Sequence, residues 1–425
     1  MPSLPRTVEV FLAFLRLGLT SFGGPVAHLG YFRNEFVERR RWLDDHDYSD
    51  LVALCQFLPG PASSQVGIAL GLSRAGWPGA LAAWCGFTLP SAFALMLFAW
   101  GIARHAEFAA SGIVHGLKLA AVAVVAQAVW GMARSLCPDR PRAGIAIGAA
   151  LLTLLLPSAL AQVGAIVVAG FVGWRQLSAP DSAPAAHRSY GVSKRAGALA
   201  IAAFLALLVV LPLWASASGS AFATLVDGFY RAGALVFGGG HVVLPLLQSA
   251  VVSGGFVDAE TFTAGYGAAQ AVPGPLFTFA AYLGAVAQAP VAEAAGSAAG
   301  LAAGQAAGSA AAWIGGWRGG VSMLVAIFVP AFLLVVGALP FWEALRRRAG
   351  IRSAVAGVNA GVVGILLAAL YDPVWTSAVH SRADFALALA AFGLLVRARA
   401  SPVVVVALAA LAGWLGAALA AGLPA

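Results

Sequence analysis

The sequence predicts an all-α, polytopic membrane protein of about thirteen helical segments, arranged as two homologous halves of inverted topology with helices broken inside the membrane. Three observations predict it. Of the 425 residues 61% are hydrophobic and only 10% charged, and the mean hydropathy is +0.88. Apolar stretches of bilayer length recur along the chain. The second half repeats motifs of the first in the same order.

A soluble domain averages about 45–50% apolar and about 25% charged residues, and more than half of any folded surface stays exposed. A soluble enzyme is therefore excluded. The net charge of +8 does not point to nucleic acid, because in a membrane protein it reads as loop arginine beside anionic lipid. Cys55, Cys85 and Cys137 form no C-x-x-C pair, so they read as small hydrophobes rather than a metal knuckle or disulfide framework. The first apolar segment has no A-x-A-like cleavage site and is expected to stay as a helix.

A helical crossing needs about 20 apolar residues, and lipid forbids unpaired backbone. Apolar segments meeting this pattern fall near 8–30, 49–72, 77–101, 111–135, 143–156, 160–174, 197–217, 228–252, 261–285, 320–342, 353–371, 383–396 and 401–421. Those at 143–156, 160–174 and 383–396 are short. The domain reading is a first membrane repeat over 1–175, a polar linker over 176–196, an extra connecting helix over 197–218 and a second repeat over 219–425.

The repeat is explicit. Arg16 with Phe22-Gly23-Gly24 returns as Arg231 with Phe237-Gly238-Gly239; Gln56 with Pro59-Gly60-Pro61 returns as Gln270 with Pro273-Gly274-Pro275; Gly76-Trp77 and Pro90 return as Gly316-Trp317 and Pro330. An Ala/Gly-rich insertion around Glu293 to Ala312 accounts for the change of offset. One extra crossing before the second copy would invert it, the usual architecture of secondary transporters. Most arginine-bearing loops then fall inside. The loop with Arg33 and Arg39 to Arg41 falls outside, so either it lies in the interface as an amphipathic helix or the first segment does not cross fully.

The candidate site is built from charge and broken helix. Arg16 and Arg231 lie inside apolar segments, where a charge is costly, and a guanidinium can grip a tetrahedral oxyanion through two forks of donors. A snorkelling or carboxylate-paired arginine is the alternative. Gly23-Gly24-Pro25 and Gly238-Gly239-Gly240 interrupt these helices, and Pro59-Gly60-Pro61 and Pro273-Gly274-Pro275 interrupt the next ones. Such breaks free backbone donors and turn half-helix dipoles toward an anion. Kinks or surface turns are the bland reading, and two breaks in register weigh against it.

Lys118 sits mid-segment, with Asn359 as its counterpart, and reads as a second cation or proton-linked group, the alternative being a carboxylate pair. His28, His115 and His241 could titrate and couple protons, or simply pack. Intramembrane carboxylates are scarce, Asp227 and Glu107 lying near segment ends. Gly67-x-x-x-Gly71, Gly112-x-x-x-Gly116 and Gly357-x-x-x-Gly361 read as close helix contacts. No phosphate loop, H-E-x-x-H or G-x-S-x-G occurs, so no ATP drive, catalytic residue, metal site or cofactor is expected.

Laid out this way, the chain resembles the chromate ion transporter family in its long, two-domain form. The resemblance rests on Phe14-Leu-Arg16-Leu-Gly18 with Ser21-Phe22-Gly23-Gly24-Pro25, on Gln56-Phe-Leu-Pro59-Gly60-Pro61, and on their second-half echoes. It implies an inner-membrane protein that exports chromate, driven by the membrane potential or proton gradient, with two halves of opposite orientation. Family motif residues carry over to Arg16, Gly23, Gly24, Pro25, Pro59, Gly60 and Pro61, and to Arg231, Gly238, Gly239, Pro273, Gly274 and Pro275, with Gly240 standing where the first half has Pro25. The partners expected are a chromate- or sulfate-like oxyanion, the lipid bilayer and further copies of the chain. Chromate and sulfate are dianions of one shape, which composition and spacing do not separate.

Overall fold

A computed structural model describes residues 5–21, 24–104, 112–156, 159–178, 190–236, 243–288, 314–342 and 348–422. Among the described residues every regular element is helical. In the first half these are α1 (Arg6–Thr20), α2 (Gly24–Arg33) running on into a π-helical turn (Asn34–Arg39), α3 (Asp45–Phe57), α4 (Ala62–Arg104), α5 (Gly112–Leu136), α6 (Arg140–Leu155) and α7 (Ala159–Gln176). Then come α8 (Lys194–Ser218), α9 (Ala221–Leu235), α10 (Val243–Val251), α11 (Ala259–Ala271), a 3-10 turn (Leu276–Thr278), α12 (Phe279–Val286), α13 (Gly316–Ala338), α14 (Ala349–Ala369), α15 (Arg382–Val396) and α16 (Pro402–Gly422). The order of elements in the second half reproduces that of the first.

Helix starts follow the local chemistry. Asp44, Asp139, Ser193, Ser220 and Asp258 each accept a backbone N–H in the first turn of α3, α6, α8, α9 and α11, which answers donors a helix start leaves open. Ser381 and Asp384 close a capping box on α15. Inside α4 the backbone leaves helical geometry at Ala75 and at Gly76, whose φ is +65°, so α4 is two stretches, 62–74 and 77–104. Among the described residues five helices are long and apolar enough to cross a membrane: Ala62–Gly101, taken across its break at Ala75-Gly76, Gly112–Arg134, Lys194–Ser218, Gly316–Phe341 and Ala349–Asp372.

The single segments expected over 8–30, 49–72, 228–252 and 261–285 are corrected here. Each is two short helices that double back. Phe14 of α1 meets Phe32 and Phe36, at ring separations of 5.4 and 4.8 Å, and Glu9 at the start of α1 pairs with Arg40 beyond α2 at 3.4 Å. α3 and the 62–74 stretch form a second hairpin: Arg74 stands over the Trp42 ring at 5.3 Å, and Gln65 Nε2 donates to the Pro59 carbonyl at the other end. In the second half Ala250 packs on Gly228, and Tyr282 of α12 donates to the Thr261 carbonyl at 3.0 Å. This also settles the arginine loop: Glu9 binds both Arg40 and Arg74, so the first segment returns to the end at which it began.

The 77–104 stretch and α13 run antiparallel. Trp84, early in one, packs on Phe328 and Phe332, late in the other, while Met96 lies over Gly320. The remaining helices exchange partners across the halves: α5 packs on α15 and α16, and α14 on α6 and α7. Small residues let them approach, as the glycine spacings predict. A Cβ on Gly112 would strike the Gly413 carbonyl, one on Gly116 the Ala409 carbonyl, and one on Gly364 the Ala146 carbonyl. Gly364→Ala is therefore expected to destabilise the protein by about 1–3 kcal/mol through overpacking. Gly148→Ala, where nothing lies within 4 Å, should leave the thermal midpoint in detergent at or above wild type.

α8 joins the linker to the second repeat. It packs on α9 and α13, with Tyr230 donating to the Phe204 carbonyl at 2.9 Å and Gly197 set against Pro340 and Gly337. The corresponding face of α4 carries exposed Leu89, Phe93, Leu97 and Trp100.

Candidate functional site

The helix breaks of the two halves meet. Gly60 N–H donates to the Val236 carbonyl at 2.6 Å, and Gly274 N–H donates to the Ser21 carbonyl at 2.9 Å. These two bonds exchange under the repeat, since Gly60 matches Gly274 and Ser21 matches Val236. Each proline–glycine–proline corner thus holds the end of the interrupted first helix of the other half. Gly60 and Gly274 have φ of +120° and +105°, a region open to glycine and strained for other residues. Each corner also sits on a proline-bent helix of the opposite half: Gly60 faces Ala331, just after Pro330, and Gly274 faces Phe87 and Ser91, on either side of Pro90.

This geometry revises the donor inventory. Pro59, Pro61, Pro273 and Pro275 carry no N–H, and the amides of Gly60 and Gly274 are already bonded to carbonyls. Among the described residues open backbone donors remain at the starts of α2, beginning at Gly24-Pro25, of the 62–74 stretch, and of the 3-10 turn after the second corner, where Leu276 and Phe277 begin a helical turn with no side-chain cap. Gly23, Gly238, Gly239, Gly240 and His241 lie outside the described residues.

The two arginines differ. Arg231 is ion-paired with Asp227 one turn earlier on α9, and Asp227 is 3% exposed. Asp227 was expected near a segment end; it is buried within α9 and answers the arginine. Leu12 stands at the matching place on α1, and Arg16 lies on the exposed side of its helix with Leu12 and Leu19. No salt bridge to Arg16 occurs among the described residues. Lys118 does not join the breaks: its Nζ donates to Glu260 at 3.0 Å, in the first turn of α11, which is the carboxylate pair weighed as the alternative. His115 likewise contacts Asp384 at 2.6 Å.

His28 does reach the breaks. It is 1% exposed, with Nδ1 3.4 Å from the Ser63 hydroxyl and its ring edge-on to Phe87 at 5.2 Å. Around it lie buried Ser21, Ser64, Gln65, Thr88 and Ser91, none of which the sequence reading singled out. Their signal was present: Ser63-Ser64-Gln65 follows one corner directly, where the repeat has Phe277-Thr278-Phe279. A separate recess lined by Thr153, Gln248, Ser249, Ser253 and Asp372 opens at the far end of α10 from its break.

At the base of the first-half hairpins Glu35 is buried and receives hydrogen bonds from Arg40 Nε at 2.6 Å and Arg39 at 2.8 Å. Burial pushes its carboxyl up, and the two guanidinium bonds more than offset that, holding it below the ordinary carboxylate range. A depressed carboxylate stabilises the fold above its unfolded pKa and loses that contribution as pH falls through the folded value. The thermal midpoint is thus expected to decline on acidification below about pH 4.5, and Glu35→Gln should flatten that acid limb while lowering the neutral midpoint.

The chromate transporter family's sequence profile matches residues 8–174 and 223–414, so two successive stretches match around the polar linker and α8. The chain is 27% identical over 430 residues to a chromate transport protein of Pseudomonas aeruginosa, covering 96% of this chain and 92% of that one. It is 25% identical over 366 residues to a chromate transport protein of Cupriavidus metallidurans, covering 85% and 81%. An uncharacterized transporter of Bacillus subtilis matches 120 residues at 33% identity, 28% of this chain and 66% of the relative. No solved structure matches. With broken helices joined pairwise between two halves, several helices of bilayer length and relatives named as transport proteins, this multi-pass membrane protein belongs to the chromate transporter family.

Proposed function

We propose that the chain is a secondary transporter that exports chromate across the cytoplasmic membrane, driven by the membrane potential or the proton gradient. The observation that carries this reading is the reciprocal pair of backbone bonds, Gly60 to Val236 and Gly274 to Ser21, which joins four interrupted helices at one place. Interrupted helices meeting between repeats are where transporters bind small ions, and irregular backbone at that depth requires protein or a polar cavity around it. The two halves are read as inverted repeats: the antiparallel run of the 77–104 stretch against α13, and the exchanged partners of α5 and α14, support that reading. Unpaired Arg16 supplies a positive field on the approach to the site. The names of the Pseudomonas and Cupriavidus relatives favour chromate as cargo; the chemistry of the site suits any tetrahedral dianion.

Uptake into everted membrane vesicles tests the proposal. Vesicles carrying the protein are expected to accumulate chromate against its gradient, and a protonophore should abolish accumulation. Equilibration without accumulation would instead identify an uncoupled anion channel, and preferential sulfate uptake a sulfate carrier. Arg16→Gln is expected to slow chromate uptake about tenfold at low ionic strength and less in high salt.

A further inference from the structure

The two halves match in backbone and differ in what they bury at the breaks. In the first half Ser21 Oγ, His28 Nε2, Ser64 Oγ, Gln65 Oε1 and Thr88 Oγ1 are all buried and have no hydrogen-bond partner among the described residues. Their residues are 3% exposed or less. Buried polar groups are nearly always bonded, and unpaired ones point to a missing water, ion or ligand. The repeat places Val236, Val243, Phe279 and Phe328 at the positions of Ser21, His28, Gln65 and Thr88, all of them buried and apolar. The counterpart of Ser64 is Thr278, whose hydroxyl is satisfied by the Pro275 carbonyl at 2.8 Å. At these matched positions the first half therefore carries unanswered polar groups where the second has hydrocarbon; beside the second corner the unanswered buried atom among the described residues is Gln270 Nε2.

These groups come from four pieces of chain and are linked by contacts. His28 reaches Ser63 and stacks edge-on against Phe87. Gly274, bonded to the Ser21 carbonyl, faces the Phe87 carbonyl and Ser91. Ser91 in turn donates to the Thr88 carbonyl, which puts Thr88 on the same side of the 77–104 stretch. If the Ser63 hydroxyl donates to Nδ1, the imidazole proton sits on Nε2; the ring faces the Ser21 backbone, and Nε2 has no close acceptor among the described residues. Ser21, Ser64 and Thr88 add three hydroxyl donors. The starts of α2 and of the 62–74 stretch bring open backbone N–H groups and two positive dipole ends.

We infer that the transported oxyanion is held on one side of the pseudo-dyad only, by the buried first-half cluster of Ser21, His28, Ser64 and Thr88, with Ser63 orienting the imidazole. The inference rests on the function proposed above and names its site. A tetrahedral oxyanion has only acceptors, and it would answer the four donors and the helix starts together, leaving the acceptor Gln65 Oε1 to water. The second half serves this site through backbone alone, clamping Ser21 in place with Gly274.

Equilibrium dialysis of purified full-length protein against chromate, and separately against sulfate, tests it. Thr88→Val and Ser64→Ala are each expected to weaken binding about ten- to a hundredfold, the effect of losing one hydrogen bond to a charged ligand. Thr278→Val, the second-half counterpart, should bind within about twofold of wild type, well under the loss of one such bond. Thr88→Ser restores the hydroxyl and should bind like wild type, which separates ligand contact from a folding defect. Wild-type affinity in both Thr88→Val and Ser64→Ala would overturn the site, with water alone answering the cluster, and would leave the transport function standing. Equal losses in Thr278→Val and Thr88→Val would overturn its one-sidedness. Failure of the wild-type protein to bind any oxyanion would instead sink the proposed function.

Discussion

Gly274→Ala is expected to abolish transport and to destabilise the protein by about 2–6 kcal/mol, combining backbone strain with overpacking. Its φ of +105° suits glycine alone, and an added Cβ would stand 2.8 Å from Ser91 Oγ and 3.2 Å from the Phe87 carbonyl. The Phe87 carbonyl is helix backbone at a residue that is itself 2% exposed, and it yields far less readily than a side-chain end. The corner must then retreat, and the amide that holds Ser21 retreats with it. Gly60→Ala should be the milder of the two. Its φ is +120°, but the nearest atom is the end of the Gln65 side chain at 2.7 Å, which can swing aside at the loss of its bond to Pro59. Thermal unfolding of the two variants in detergent checks both the size and the ranking; a Gly274→Ala protein as stable as wild type would mean that the corner is not held as described.

Arg231→Gln is the second large effect, with an expected loss of about 1–3 kcal/mol, the cost of leaving a buried charged acceptor unpaired when its partner, Arg231, is itself 39% exposed and so screened by solvent. Asp227 is almost fully buried and depends on Arg231 for its charge, so the single variant strands a carboxylate inside the helix bundle. The double variant Asp227→Asn with Arg231→Gln removes both charges and should recover most of that stability. Arg16→Gln has no such partner to strand and should unfold at the wild-type temperature. Measuring the three together separates a structural arginine from one that acts on solute: lost transport in a stable double variant would assign Arg231 to the anion, and recovered transport would assign it to Asp227.

Much of this architecture was legible in the chain. Pro59-Gly60-Pro61 and Pro273-Gly274-Pro275 announce their breaks because proline removes an N–H and clashes with the preceding turn wherever it falls. The Gly112 to Gly116 and Gly357 to Gly361 contacts follow from small residues one turn apart. The doubling back of α1 and α2 was not legible. A fifteen-residue helix and a ten-residue helix laid end to end have the length and hydropathy of one crossing, and long-range contacts tell them apart: Phe14 on Phe32 and Phe36, and Glu9 with Arg40 and Arg74. The partners of Lys118 and Arg231 were weighed but not chosen, since nothing local brings Glu260 to a lysine 142 positions away. The buried hydroxyls escaped notice for a different reason: serine and threonine are ordinary in membrane helices, and they become unusual only when their partners are sought and not found.

α8 covers part of α13, while the matching face of α4 is exposed among the described residues. Acyl chains can reach Phe93, Leu97 and Trp100 on α4 directly, while the matching positions of α13 lie beneath an additional helix. Mismatch between a helix and the surrounding hydrocarbon is worth a fraction of a kcal/mol per ångström. A change in bilayer thickness would therefore bear unequally on the two sides, pressing first on the helix that carries Thr88.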